Sequence, residues 1–195
     1  MTRPDKSTIE RLSFIKFLYG LGVEQSKTAE PMNAASLLML HDSVELFLQV
    51  ASEYLDVGKT QKNFLAYWDV FSGKLPDGGL TQKEAMRRLN HARVALKHRG
   101  TRPSRSDVEA FRATATNFFA ENTHRVFGIA FELISLMDLV AYEVVRTNLK
   151  DAQQQITEGR FKDALSLSRL AFHLLLDQYE STILKSLWTL PLSFR

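Results

Sequence analysis

Apolar residues recur every three to four positions along most of this chain, and almost nowhere do they alternate, so the pattern is helical and not strand-like. The clearest stripe runs from Pro31 to about Leu55, where Leu37, Leu40, Val44, Phe47, Leu48, Ala51 and Leu55 share one face and Pro31 suits a first-turn position. Before it, Ser7-Thr-Ile-Glu10 has the spacing of a capping box and predicts a first helix that Gly20 closes. A short aromatic helix after Thr60 carries Phe64, Tyr67, Trp68 and Phe71, and the run Ser72 to Gly79 is rich in turn residues.

Thr81-Gln-Lys-Glu84 is a second capping box, opening a helix that ends near Arg99-Gly100. Ser106-Asp-Val-Glu109 is a third, opening a helix through Phe111, Ala115, Phe118 and Phe119. The remaining third predicts two long helices, about 123–157 and 160–190, meeting at Glu158-Gly159. The first of these is apolar nearly all round, which predicts a central, buried position. Together the elements predict an all-α fold: a helical bundle of six or seven helices ending in a long antiparallel helical hairpin. Gly128 is the expected divide between a bundle over 1–128 and a hairpin over 129–195, unless both pack into a single domain. Glu158 to Leu165 looks like the entry to a tetratricopeptide-type hairpin, but no 34-residue period accompanies it.

Composition narrows the chemistry. With 195 residues, 45% hydrophobic and 24% charged, the chain has the balance of a globular protein. It contains no cysteine, which excludes disulfides, thiolate metal sites and a cysteine nucleophile. The greasiest run, Phe127 to Val145, is interrupted by Glu132, Asp138 and Glu143, so no membrane span is expected, and a cytoplasmic location is the natural expectation. Nucleophile elbow, zinc-protease, Walker and dinucleotide motifs are absent, and no cofactor is expected. Glu121-Asn-Thr-His124 has the Glu-x-x-His spacing of di-iron bundles, but it occurs once where such a site needs two, so no metal is expected either.

Charge points to one segment. Residues 83–112 carry nine Lys or Arg against three acids, an excess of six in a chain whose net charge is +3, so everything else is slightly acidic. Such a patch suits an anionic partner; a solvated helix with a basic C-terminal end is the other reading. On an ideal helix Ala85, Leu89, Ala92 and Leu96 form the buried stripe. Glu84, Arg88, His91 and His98 flank it on one side, and Met86, Asn90, Arg93 and Lys97 on the other. Arg93 and His98 lie about 140° apart around that axis, so they converge only if the last turn unwinds or if two copies of the helix meet. His41 falls on the apolar stripe of the second helix and reads as a core or interface histidine. If the second and fourth helices pack together, it approaches Arg93 as an auxiliary. His173, between Arg169 and Asp177, belongs to a solvated charge ladder, and His91 to the surface.

Arg93-Val-Ala-Leu-Lys-His98, at the end of a helix in a small all-α bundle, resembles the Arg-x4-6-His motif of HEPN domains, and the helix 34–54 with Glu45-Leu-Phe-Leu resembles that family's first helix. The resemblance covers roughly residues 31–128. It implies a four- or five-helix bundle that dimerises, and either a metal-independent endoribonuclease of toxin or defence type or an inactive binding module. Under it, Arg93 would stabilise phosphate charge and His98 would transfer protons during attack by the ribose 2′-hydroxyl. Arg87, Asn90, Lys97, Arg99, Arg102 and Arg105 would contact single-stranded RNA, with a homodimer and a protein partner or inhibitor as further associates. A non-enzymatic, all-helical interaction or oligomerisation module is the alternative.

Overall fold

The computed structural model describes residues 4–58, 63–75 and 78–188. Among them are seven α-helices and no strand: α1 (Lys6–Ser26), α2 (Ser36–Tyr54), α3 (Ala66–Ser72), α4 (Lys83–Arg99), α5 (Arg105–Phe127), α6 (Glu143–Thr157) and α7 (Phe161–Trp188). The expected all-α bundle of six or seven helices is what the chain forms. It divides into two compact units, Met1–Leu136 and Met137–Arg195. The aromatic helix begins at Ala66, later than expected, so Phe64 precedes it in a turn; residues 59–62, the middle of the loop after Ser72 and the expected end of the last helix at Leu190 lie outside the described residues.

In the first unit α1 and α2 form the most extensive pair. Gly20 does not close α1, which continues to Ser26, because packing against α2 outweighs the low helix propensity of glycine. Gly22 makes that approach close: a Cβ there would stand 3.0 Å from the Leu40 side chain. α2 follows a 3-10 turn, Met32–Ala35, and forms the middle of the core. Met32–Tyr54 is long and apolar enough to cross a membrane, and most of it is buried against the rest of the protein.

Phe47 on α2 is the centre of an aromatic cluster, meeting Phe118, Phe119 and Phe127 of α5 edge-on at centroid distances of 5.3, 5.7 and 5.5 Å. Consecutive residues on a helix point about 100° apart. Phe118 therefore serves the α3 side, 5.9 Å from Trp68, while Phe119 serves the α1 side, 5.1 Å from Tyr19.

Three helix starts differ from the sequence expectation. The first turn of α4 has no side-chain cap, and Gln82 is left-handed at φ 65°. Thr81 is used elsewhere: its N–H and hydroxyl bond the buried carboxamide of Asn122, and its carbonyl accepts from the Trp68 indole. The capping box of α5 is built by Ser104 and Asp107, two residues before the expected one. α1 is likewise capped two residues early, by Asp5, which accepts from the Thr8 N–H at 2.8 Å.

The expected long helix over 123–157 does not exist. α5 stops at Phe127, where Gly128 turns the chain at φ 69°, and two 3-10 turns, Phe131–Leu133 and Leu136–Leu139, precede α6. The reason is burial. Phe131 stacks on Phe119 at 4.6 Å, and Lys16 donates to the carbonyls of Glu132 and Ile134 at 2.8 and 2.7 Å. A continuous helix would carry Phe131 and Ile134 away from that core. The segment is also not buried throughout, since Leu133, Leu136 and Leu139 are exposed.

The second unit is the expected hairpin with a shorter first arm: α6 and α7 pack together across Glu158, Gly159 and Arg160. Its buried positions are mostly small, Ala152, Ala164 and Ala171, with Val145. Phe161, Leu165, Phe172, Leu176, Tyr179 and Ile183 fall within about 60° of one another around α7, and all six are exposed.

Candidate functional site at the two ends of α4

α4 is rotated from the expected orientation. Met86 and Leu89 are its fully buried residues, while Ala92 and Leu96 are partly buried against the same core. Met86, Asn90 and Arg93, expected on a flank, thus turn toward the interior because α2 offers polar as well as apolar partners there.

Those partners are His41 and Asp42. His41 is 2% exposed, stacks on Phe64 with centroids 4.6 Å apart, and its Nε2 lies 2.9 Å from Asn90 Oδ1. Its Nδ1 has no hydrogen-bond partner, though Asp42 Oδ1 lies 3.5 Å and Glu45 Oε2 3.8 Å away. At those separations the contacts are electrostatic and not well-formed hydrogen bonds. Asp42 also faces the Arg93 guanidinium, with Nη2 at 3.8 Å. Contact with the His41 imidazole holds the Asp42 carboxyl below its usual range; burial opposes this, and the charges of His41, Arg93 and Lys97 assist it. Asp42 thus stands between His41 and Arg93.

Arg93 is mostly buried, its side chain 20% exposed and its Nε without a partner. His98 is exposed at the other end of the helix, with no hydrogen-bond or ionic partner among the described residues. The last turn does not unwind: α4 is regular through Arg99, Gly100 adopts φ 67°, and the N–H groups of Gly100 and Thr101 cap the carbonyls of Leu96 and Ala95. A single copy consequently does not bring Arg93 and His98 together.

The remaining basic residues separate into two groups. Arg87 pairs with Glu84 at 3.1 Å and Arg105 with Glu109 at 3.4 Å, while Asn90 is committed to His41 instead of facing solvent. Lys97, Arg99 and Arg102 are exposed, and among the described residues none has a carboxylate within ion-pair distance. With His98 they surround the α4–α5 corner. Arg102 also lines an open, polar cleft of about 490 Å³ with Glu30, Asn33 and Ser104, and the buried Nδ2 of Asn33 has no hydrogen-bond partner. Glu121 accepts from Gln82 at 2.9 Å and His124 is exposed, so the Glu-x-x-His pair forms no cluster with other ligands among the described residues.

Sequence reasoning missed Asp42, Glu45, Phe64 and Asn33. The i, i+4 placement of His41 and Glu45 on one helix face was the available signal for part of this set; Phe64 and Asn33 depend on tertiary packing alone. The fold and site define an all-α protein, with seven helices among the described residues, a buried histidine beside two half-exposed carboxylates, and an exposed cationic corner. Comparison with protein-family models, with curated proteins and with solved structures finds no match.

Proposed function

We propose that the chain is an RNA-binding protein of HEPN type that contacts single-stranded RNA through the α4–α5 corner. The observation that carries this reading is the cluster Lys97, His98, Arg99 and Arg102, exposed and, among the described residues, without a carboxylate at ion-pair distance, in a chain that is acidic elsewhere. Guanidinium groups pair with phosphate oxygens and stack on unpaired bases, which suits single strands better than a duplex groove. The cleft beside Arg102 would seat one phosphate against that guanidinium. Three phosphate contacts, from Lys97, Arg99 and Arg102, predict that log affinity falls with log salt at a slope of about −2 on single-stranded RNA. Arg99→Glu with Arg102→Glu should weaken binding more than tenfold in a fluorescence anisotropy titration. Unchanged affinity in that double variant would remove the reading.

Cleavage extends the same proposal and requires a homodimer, since Arg93 and His98 could meet only between copies. RNA incubated with chelator, using wild type, Arg93→Ala and His98→Ala, tests it. Cleavage that survives both substitutions, or no cleavage by wild type, excludes this chemistry.

A second reading, self-association through the hairpin, is favoured by the exposed apolar stripe of α7. Lys162 and Arg169 flank that stripe in the first half of the helix and Glu180 on the same side in the second. Antiparallel pairing of two α7 helices would set Arg169 of one copy against Glu180 of the other. Leu165→Glu with Phe172→Glu should then give a monomer by light scattering; an unaltered mass would discard it.

A further inference from the structure

The histidine–carboxylate cluster on α2 carries an inference beyond RNA binding and independent of it. His41 Nδ1, an Asp42 oxygen and a Glu45 oxygen lie within 4.8 Å of one another. A zinc-like ion with bonds near 2.1 Å in tetrahedral geometry separates its ligands by about 3.4 Å. Here Nδ1 stands 3.5 Å from Asp42 Oδ1 and 3.8 Å from Glu45 Oε2, so small side-chain adjustments would close the set.

The second observation is the imidazole itself. His41 is 2% exposed, and its buried Nδ1 has no hydrogen-bond partner while facing both carboxylates. Its other nitrogen faces the Asn90 carbonyl oxygen at 2.9 Å, so Nε2 donates there, and in the neutral ring Nδ1 then presents a lone pair. A lone pair aimed at two carboxylates is electrostatically unfavourable unless a positive charge stands between them, either a proton on Nδ1 or a metal ion. An imidazole fixed through its far nitrogen is also the usual arrangement of a metal-ligating histidine. The carboxylates are about half exposed, at 50% and 42%, which leaves an entry path and positions for water ligands.

We propose that His41, Asp42 and Glu45 bind one divalent transition-metal ion of the zinc class, with Asn90 orienting the imidazole and water completing the shell. One nitrogen and two carboxylate oxygens suit such an ion. Arg93 and Lys97 face Asp42 from α4 and compete with the ion for it. Occupancy draws Asp42 away from Arg93, and the ion thereby sets how strongly the guanidinium is held.

The test is calorimetric titration of metal-free, full-length protein with Zn²⁺ at pH 7. One site per chain is expected, weakened at least tenfold by Glu45→Gln and by Asp42→Asn, and unchanged by His173→Ala, which removes an exposed histidine of α7. Absence of a one-to-one site, or equal affinity in both carboxylate variants, overturns the proposal. Histidine side-chain ¹⁵N spectra of the wild type provide a readout that needs no variant. Zn²⁺ should move the Nδ1 resonance of one imidazole that keeps its Nε2 proton. Movement of the exposed histidines alone also overturns it.

Discussion

Phe119 and Phe172 are the same side chain on the same kind of element, and they meet opposite surroundings. Phe119, in the first unit, is fully buried among Phe47, Phe118, Tyr19 and Phe131, whereas Phe172, in the hairpin, is 58% exposed. The first unit has five helices whose apolar faces close on one another; the hairpin has two, so α7 can turn only one of its apolar sides toward α6. Apolar periodicity thus marks a face that wants cover. It does not say whether the cover comes from the same chain.

The sharpest way to break that comparison is truncation on both sides of it. Phe119→Ala should destabilise the first unit by about 3–5 kcal/mol, while Phe172→Ala should change stability by less than about 0.5 kcal/mol. Urea unfolding checks both, and comparable losses would mean that the α7 stripe is covered after all. Asn122→Ala follows, at about 2–3 kcal/mol, because it strands the Thr81 N–H and takes the amide donor from the Thr81 hydroxyl, both served by the fully buried carboxamide. Lys16→Met should lose about 1–2 kcal/mol, since the ammonium holds two carbonyls of the turn that brings Phe131 inward. Burial lowers the Lys16 pKa and offsets part of that gain. Hydrogen exchange confined to residues 129–136 would sharpen the point.

The smallest effect belongs to the rim of the first unit. Arg11 pairs with Glu53 across α1 and α2, and that hydrogen bond holds the Glu53 carboxyl below its ordinary value of 4.5. A lowered folded-state pKa stabilises at neutral pH and is lost as pH falls through the carboxylate range. Glu53→Gln should therefore lose less than about 1 kcal/mol at pH 7, discounted for exposure, and the difference from wild type should vanish in acid. A difference that persists at pH 2 would place the effect in packing.

Much of the helical order was readable from residues 31–55 and 81–100, because amphipathic stripes and the Arg99-Gly100 stop are local signals. The α5 start was misplaced by two residues because Ser104 and Ser106 both offer a hydroxyl, and only backbone geometry decides between them. The helix over 123–157 failed because its apolar positions carry no address: Phe131 leaves the helical path to stack on Phe119. In the site, the cationic corner could be read from charge alone. The split between Arg93, turned to Asp42, and His98, turned to solvent, could not, since five residues on one helix need a second element to show which side is in.

The sequence by itself determined an all-α chain, its basic segment and the helix stops at Gly100 and Gly159, because these follow from local periodicity, charge and backbone freedom. Tertiary structure alone decided which apolar faces are buried, that Asn90 serves His41, and that Asp42 stands between His41 and Arg93. Those choices depend on contacts between residues about fifty positions apart, and a helix pattern is the same whichever neighbour it meets.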